Sequence, residues 1–261
     1  MPPRDAELFE YLLRLGDTDV VLAQRLGERI GHGPILEEDI AMANVGLDLL
    51  GQGRLWLGYA GEVEARFSGT GRTDDQLAFL RDGSGFRNLL LAEQPNGDFA
   101  RTMARQFYFD AWHQLLLRAL SSSVDARIAE IAAKAVKEAT YHTERSAGWV
   151  VRLGDGTDES HARMQRALDE LWMFTGEMFA ADPLEQELAR ARIAVDVRLL
   201  REPWLATICS VLAEATLALP QGEWMQGAGM RGGKQGVHTE HLGHLLTEMQ
   251  FLQRAYPGAV W

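Results

Sequence analysis

The chain has 261 residues, 46% of them hydrophobic, which is ample for a core in one large domain or two small ones. With 37 acidic and 26 basic residues the net charge is -11, a field that repels phosphate and so excludes nucleic acid or an anionic membrane as a main partner. The single cysteine, Cys209, excludes an internal disulfide and fits a reducing cytoplasm.

Helix signals dominate in chain order. Leu8, Leu12 and Leu15 start one face, interrupted at Gly16-Asp17, and Leu22, Leu26 and Ile30 continue it until Gly31, Gly33 and Pro34 stop the helix. Next come Leu36, Ile40, Ala43, Leu47 and Leu50, spaced 4, 3, 4 and 3, which reads as a bundle seam in a helix over 36–60. Breaks at 68–72 and 82–85 precede a short helix expected at 88–93. Long helices follow over 98–120 and 125–153, and Gly154-Asp155-Gly156-Thr157 is a stop-and-cap signal before a helix running to Phe179. Asp182-Pro183 opens another short helix, 199–219 reads as helical, and the last helix covers 240–256 after a Gly-rich stretch, 227–236, read as flexible. No apolar run reaches the roughly 20 residues of a membrane span, and the N-terminus has no apolar signal region. A single all-α domain over 1–261 is expected, with Cys209 buried among Ile208, Val211 and Leu212 as a small hydrophobe.

Three helices carry polar residues among apolar ones. Asn44, Asp48 and Gly51 or Gln52 form a line in the second helix; Gln106, Asp110 and His113 share a face in 98–120; Glu138 and His142 stand one turn apart in 125–153. Buried carboxylates are costly unless paired or metal-bound. Inward carboxylates and imidazoles on central helices suggest a ferritin-like four-helix bundle, whose di-iron site takes a carboxylate from each of two helices and a Glu-x-x-His pair from each of the other two. The set here is defective: Asp110-x-x-His113 has a shorter acid, Glu138 and His142 are four apart, and Gly51 follows Asp48 at the third position. Polar groups satisfying one another is the favoured reading, with a free-standing di-metal oxidoreductase using Asp110, His113, Glu138 and His142 as its rival. The string His238-Thr239-Glu240-His241-Leu242-Gly243-His244 reads as helix capping and polar packing in preference to a metal cluster. The phosphate-loop reading of Gly232-Gly233-Lys234 is weak, because no strand precedes it.

The strings Asn44-Val45-Gly46-Leu47-Asp48-Leu49-Leu50-Gly51-Gln52, Glu93-Gln94-Pro95-Asn96-Gly97-Asp98-Phe99-Ala100 and Gly236-Val237-His238-Thr239-Glu240-His241-Leu242-Gly243 resemble the C-subunit family of phenylacetyl-coenzyme A epoxidase, the ring-1,2-phenylacetyl-coenzyme A monooxygenase. The likeness runs from about Leu12 to Trp261. It implies a ferritin-like subunit that is itself inactive and metal-free and that supports a related catalytic A-type subunit, which carries the di-iron centre and inserts oxygen into the substrate ring. It also implies a small B-type subunit and a reductase component with FAD, an iron–sulfur centre and NADPH. In this reading the vestigial di-iron positions are Asp48, Gly51, Asp110, Ala139 and His142, with a first-helix position between Asp19 and Gln24. Gly51 and Ala139 cannot ligate; Asp48, Asp110 and His142 are expected to pair with one another. Trp149, Val150 and Val151 are candidates for contact with the sister subunit, with core packing as an equal alternative for each. A purely structural homo-oligomer is a further rival.

Overall fold

The structure, a computed structural model, describes residues 4–222 and 232–259. Ten α-helices and four short 3-10 turns make up the described regular structure, with no strand among the described residues, so the fold is all-α and ferritin-like. No helix among them is long and apolar enough to cross a membrane. The chain divides into two compact units, Met1–Pro95 with Arg231–Trp261, and Asn96–Met230.

The first unit is built on a long helix pair, α1 (Arg4–Gly27) and α2 (Leu36–Ser68). Arg66 meets Asp5 at 3.7 Å near one end and Gly46 lies against Leu26 near the other, so the pair is antiparallel. The turn between them closes on Asp39, whose carboxylate accepts from the amides of Gly31 and Gly33 at 2.9–3.0 Å. Gly16 faces Gly53 at the crossing: a Cβ on Gly16 would meet Leu57 at 2.7 Å, and one on Gly53 would meet Val20 at 2.7 Å. The two glycines bring the backbones together, and α1 runs on without the interruption expected at Gly16-Asp17. Asp17 tolerates its fully buried place because Arg81 pairs with it and the Arg87 amide donates to it at 2.8 Å. Ile30 lies beyond the helix end, in the turn.

A helix without a counterpart among the sequence expectations, α3 (Asp74–Phe79), starts at a capping box between Thr73 and Gln76. The stretch 88–93 is an extended segment and a turn, where a helix was expected. Its polar groups are drawn to α1 instead: the Leu89 amide donates to Thr18 Oγ1 at 3.1 Å, and Arg25 donates to the Glu93 carbonyl at 2.7 and 3.1 Å.

In the second unit, α4 (Phe99–Leu120) and α5 (Ala126–Gly154) form the long pair, antiparallel as shown by Phe99 against Trp149 (4.9 Å between ring centres) and Gln114 against Thr140 (2.9 Å). Asp98 and Asp125 cap them, accepting from the amides of Arg101 and Ile128. Helix α4 is buried nearly all round, which fits a central helix. Around the pair lie α6 (Asp158–Trp172), α7 (Pro183–Arg190) and α8 (Arg201–Glu214). Trp172 and Trp204 stack at 5.7 Å beside Tyr108, and the Trp204 indole donates to the Tyr108 carbonyl at 3.0 Å.

One expectation about side-chain placement fails and one open alternative is decided. Cys209 is exposed, because Ile208 and Leu212 take the buried face of α8 and Cys209 falls on the other. Val150 is fully buried and Trp149 is engaged by Phe99, so Val150 is core and offers no outer contact surface. The last helix is also split. Helix α9 (Glu240–Met249) ends at Gln250, whose buried amide donates to the carbonyls of Ala78 and Arg81 at 3.0 Å each, and α10 (Phe251–Ala255) follows. The 227–236 stretch read as flexible lies partly outside the described residues. Its described part is seated closely, for a Cβ on Gly233 would lie 1.9 Å from the Asn88 carbonyl oxygen.

Candidate functional site

Helix α5 turns Ile128, Ile131, Ala135, Ala139, His142, Ser146 and Val150 to the interior at spacings of 3 and 4, and α4 turns Gln106, Asp110 and His113 inward opposite them. This polar inset is the second unit's candidate site. Asp110 is buried, with Gln106 Nε2 at 3.5 Å from its Oδ1. Its backbone carbonyl accepts from Thr143 Oγ1 at 3.0 Å, which pins α5 to α4 at this level. Ser146 Oγ donates to the His142 carbonyl at 2.9 Å. Burial pushes the Asp110 carboxyl up to about 6, against the opposing pull of His142, Ser146, Arg145 and Arg105. Burial likewise lowers His113 to about 3, helped by the neighbouring His142 charge, and His113 packs on the Phe109 ring at 4.7 Å. His113 is therefore a neutral, aromatic-packed imidazole.

Ala139 and His142 share the inward face three residues apart, and Ala139 brings a methyl group where a carboxylate would be needed. Glu138 is half-buried, one position off that face. In the first unit Asp48 is half-buried, while Asn44 and Gly51 are exposed, with open space around Gly51. The interior line of α2 is instead Met42, Val45, Leu49, Gln52 and Trp56. The polar line expected along Asn44, Asp48 and Gly51 thus falls largely outside the core, and only Gln52 of that set is buried. Among the described residues no three His, Cys, Asp or Glu side chains converge as a metal would require. This donor set does not fit a two-metal centre.

A second polar centre lies in the first unit: polar packing was expected of His238 and Thr239, but Glu93, on which they converge, was not among the sequence expectations. Glu93 is fully buried, and its carboxylate accepts four hydrogen bonds: Asn88 Nδ2 at 2.9 Å, His238 Nδ1 at 2.9 Å, and the Thr239 amide and hydroxyl at 2.6 and 2.7 Å. His238 Nε2 faces the Phe86 carbonyl at 3.1 Å. The His238 ring thus bridges the Glu93 carboxylate and the Phe86 carbonyl. Thr239 holds the N-cap position of α9, yet its hydroxyl goes to Glu93 and makes no cap. The sequence does carry a signal for it: Glu93 ends the apolar run Leu89-Leu90-Leu91-Ala92, so a carboxylate there must find partners.

The seam expected to lie in the core is the third feature. Leu36 is 70% exposed, Ile40 53%, Leu47 64% and Leu50 38%. The seam borders an apolar groove of about 320 Å³ lined from α1 and α2 with Phe79 and Met249, and no ionisable residue lines it.

The sequence profile of the family described as phenylacetic acid catabolic protein matches residues 1–261, and the chain belongs to that family. A curated relative, the C subunit of the 1,2-phenylacetyl-CoA epoxidase of Escherichia coli (strain K12), is 53% identical over 255 residues, covering 98% of this chain and 99% of the relative.

Proposed function

We propose that this chain is the non-catalytic C-type subunit of a cytoplasmic, multicomponent phenylacetyl-coenzyme A epoxidase, and that it supports a related di-iron catalytic subunit of the A type. The observation that carries the reading is the near full-length identity to a protein named as the C subunit of that enzyme, taken with a methyl group at Ala139 on the inward face beside His142. A ligand helix pair must be held to a fraction of an ångström, and a rigid related subunit supplies such support. In this reading oxygen activation belongs to the iron of the A-type subunit, and electrons arrive through a reductase with FAD, an iron–sulfur centre and NADPH. A small B-type subunit completes the assembly. Asp110, His142 and their neighbours then serve as a polar inset that fixes α4 against α5, with Asp48, Gly51, Asp110, Ala139 and His142 as vestiges of ligand positions. A single domain over 1–261 belongs to the same proposal.

The test is co-expression with a catalytic-type subunit in iron-supplemented medium, followed by metal analysis of the complex and of each chain alone. The expected result is a co-purifying pair whose iron stays with the partner, leaving this chain with less than about 0.1 metal per chain. Close to two irons in this chain by itself would overturn the proposal.

A further inference from the structure

Charge is unevenly spread over the second unit. Among the described residues, Arg118, Arg127, Lys134, Lys137 and Arg192 make no ion pair, side-chain hydrogen bond or ring contact, and all of them are exposed. Arg166, on α6, is the one other described arginine or lysine of which this is true. Topology brings the group to one end of the α4–α5 pair. Gln114 meets Thr140 at 2.9 Å, so one turn further toward the hairpin Arg118 comes level with Lys137. Arg127, Lys134 and Lys137 share the outer face of α5 with Glu130 and Tyr141, at spacings of 3, 4, 3 and 4. Arg192 joins them because the Val124 amide donates to its carbonyl at 3.0 Å and Ser123 Oγ donates to the Ile193 carbonyl at 2.7 Å. It lies just past the end of α7 at a φ of 60°, a left-handed position that glycine fills most readily, yet the chain sets an exposed arginine there. Of the acids along this stretch, Asp125 caps α5 and Glu138 is half-buried, which leaves Glu130 exposed among the cations.

In a chain of net charge -11 this end is a local reversal of sign. Its composition also specifies the kind of contact. The core of a permanent interface is depleted in charge, lysine included, whereas a partner that must arrive, act and leave is steered by solvated charges over a small area. Tyr141, 50% exposed one turn from Lys137, adds an aromatic contact. We propose that the basic end of the α4–α5 pair is the docking face for a transient protein partner with an acidic contact surface. In the multicomponent enzyme that partner is the electron-delivering reductase, the component that must come and go. The inference rests on the reading of this chain as a C-type subunit.

Turnover of the assembled enzyme, followed against the concentration of purified reductase, tests it, with binding measured in parallel by interferometry on the immobilised complex. The double variant Arg118→Glu/Lys137→Glu should raise both the half-saturating reductase concentration and the Kd about tenfold. It should leave the maximal rate and the helical circular dichroism unchanged, and flatten the dependence of binding on salt. Arg166→Glu should change neither binding nor half-saturation. Unchanged reductase binding in the double variant, or an equal effect of Arg166→Glu, would overturn the inference and leave the C-type reading intact. So would loss of the catalytic-type subunit from the double variant, since the face would then be a permanent contact. Displacement of the reductase by inorganic pyrophosphate beyond the effect of sodium chloride at equal ionic strength would make the face a phosphate site, and overturn the inference too. A chain that never assembles with the catalytic-type subunit ends both readings, and co-purification tells that case apart.

Discussion

Asp110 and His113 sit one turn apart on α4, and burial moves them in opposite directions. The Asp110 carboxyl, raised from 3.8 to about 6, takes up its proton in the folded chain before it does so in the unfolded one. Its contribution is most favourable below the unfolded value and is lost as pH rises through about 6. His113, lowered from 6.5 to about 3, contributes stability above 6.5 that is lost as pH falls toward 3. Between about pH 4 and 6 the two therefore offset each other. Asp110→Asn removes the compensating half, so the variant's melting temperature should fall more steeply than the parent's between pH 6.5 and 4. At pH 7.5 it should equal or exceed the parent, because a buried charge has gone. His113→Phe should tilt the curve the other way. Thermal melts across this range, followed by circular dichroism, check both signs. The family resemblance placed Asp110, Ala139 and His142 on vestigial ligand positions, and the structure turns all three inward. Spacing had no access to the burial that makes His113 neutral, nor to the helical phase that takes Glu138 off the face.

At the scale of elements, the helices were legible where caps and long apolar periods agree. Asp98, Asp125, Thr157 and Asp182 all cap helices that begin where expected. Legibility failed where tertiary partners override local propensity. The 88–93 stretch has a helical composition but gives up its backbone groups to α1, and the last helix splits because Gln250 turns inward to two carbonyls. The seam of α2 has the period of a buried stripe and lies on the surface, since period reports that a helix face wants a partner and cannot say where that partner resides. The Glu93 centre was hidden for a different reason: three of its four hydrogen bonds come from residues about 145 positions away in sequence. Glu93→Ala should strand the Asn88 amide, the Thr239 donors and the facing His238 ring nitrogen, at a combined cost of about 3–5 kcal/mol. That corresponds to a drop of roughly 6–20 °C in melting temperature. Hydrogen exchange should locate the damage, with faster exchange at Thr239 and the first turn of α9, and little change in α4 and α5. Uniform loss of protection would argue against a local clasp.

For the whole molecule, an even composition and continuous helix signals led to the expectation of one domain, and contact density divides the chain into two units. Calorimetry separates the alternatives. One domain predicts a single transition whose calorimetric and van't Hoff enthalpies agree, while two resolved transitions would make the units independent. The net charge of -11 bears on assembly at this scale. It makes copies of the chain repel one another.

The clasp at Glu93 also sets an order on synthesis. Its carboxylate leaves the ribosome long before His238 and Thr239 do. At roughly 5–20 residues per second the wait is about 7–30 seconds. During that time the second unit, contiguous in the chain, has all of its residues, while the first has α1, α2 and α3 but a buried acid still lacking its distant hydrogen-bond partners. A nascent chain stalled before residue 238 would thus carry a finished helix pair α4–α5 and an unfinished α1–α2 platform. Chaperone dependence and nascent-chain degradation are expected to concentrate on the N-terminal helices, the first to be made and the last to be sealed.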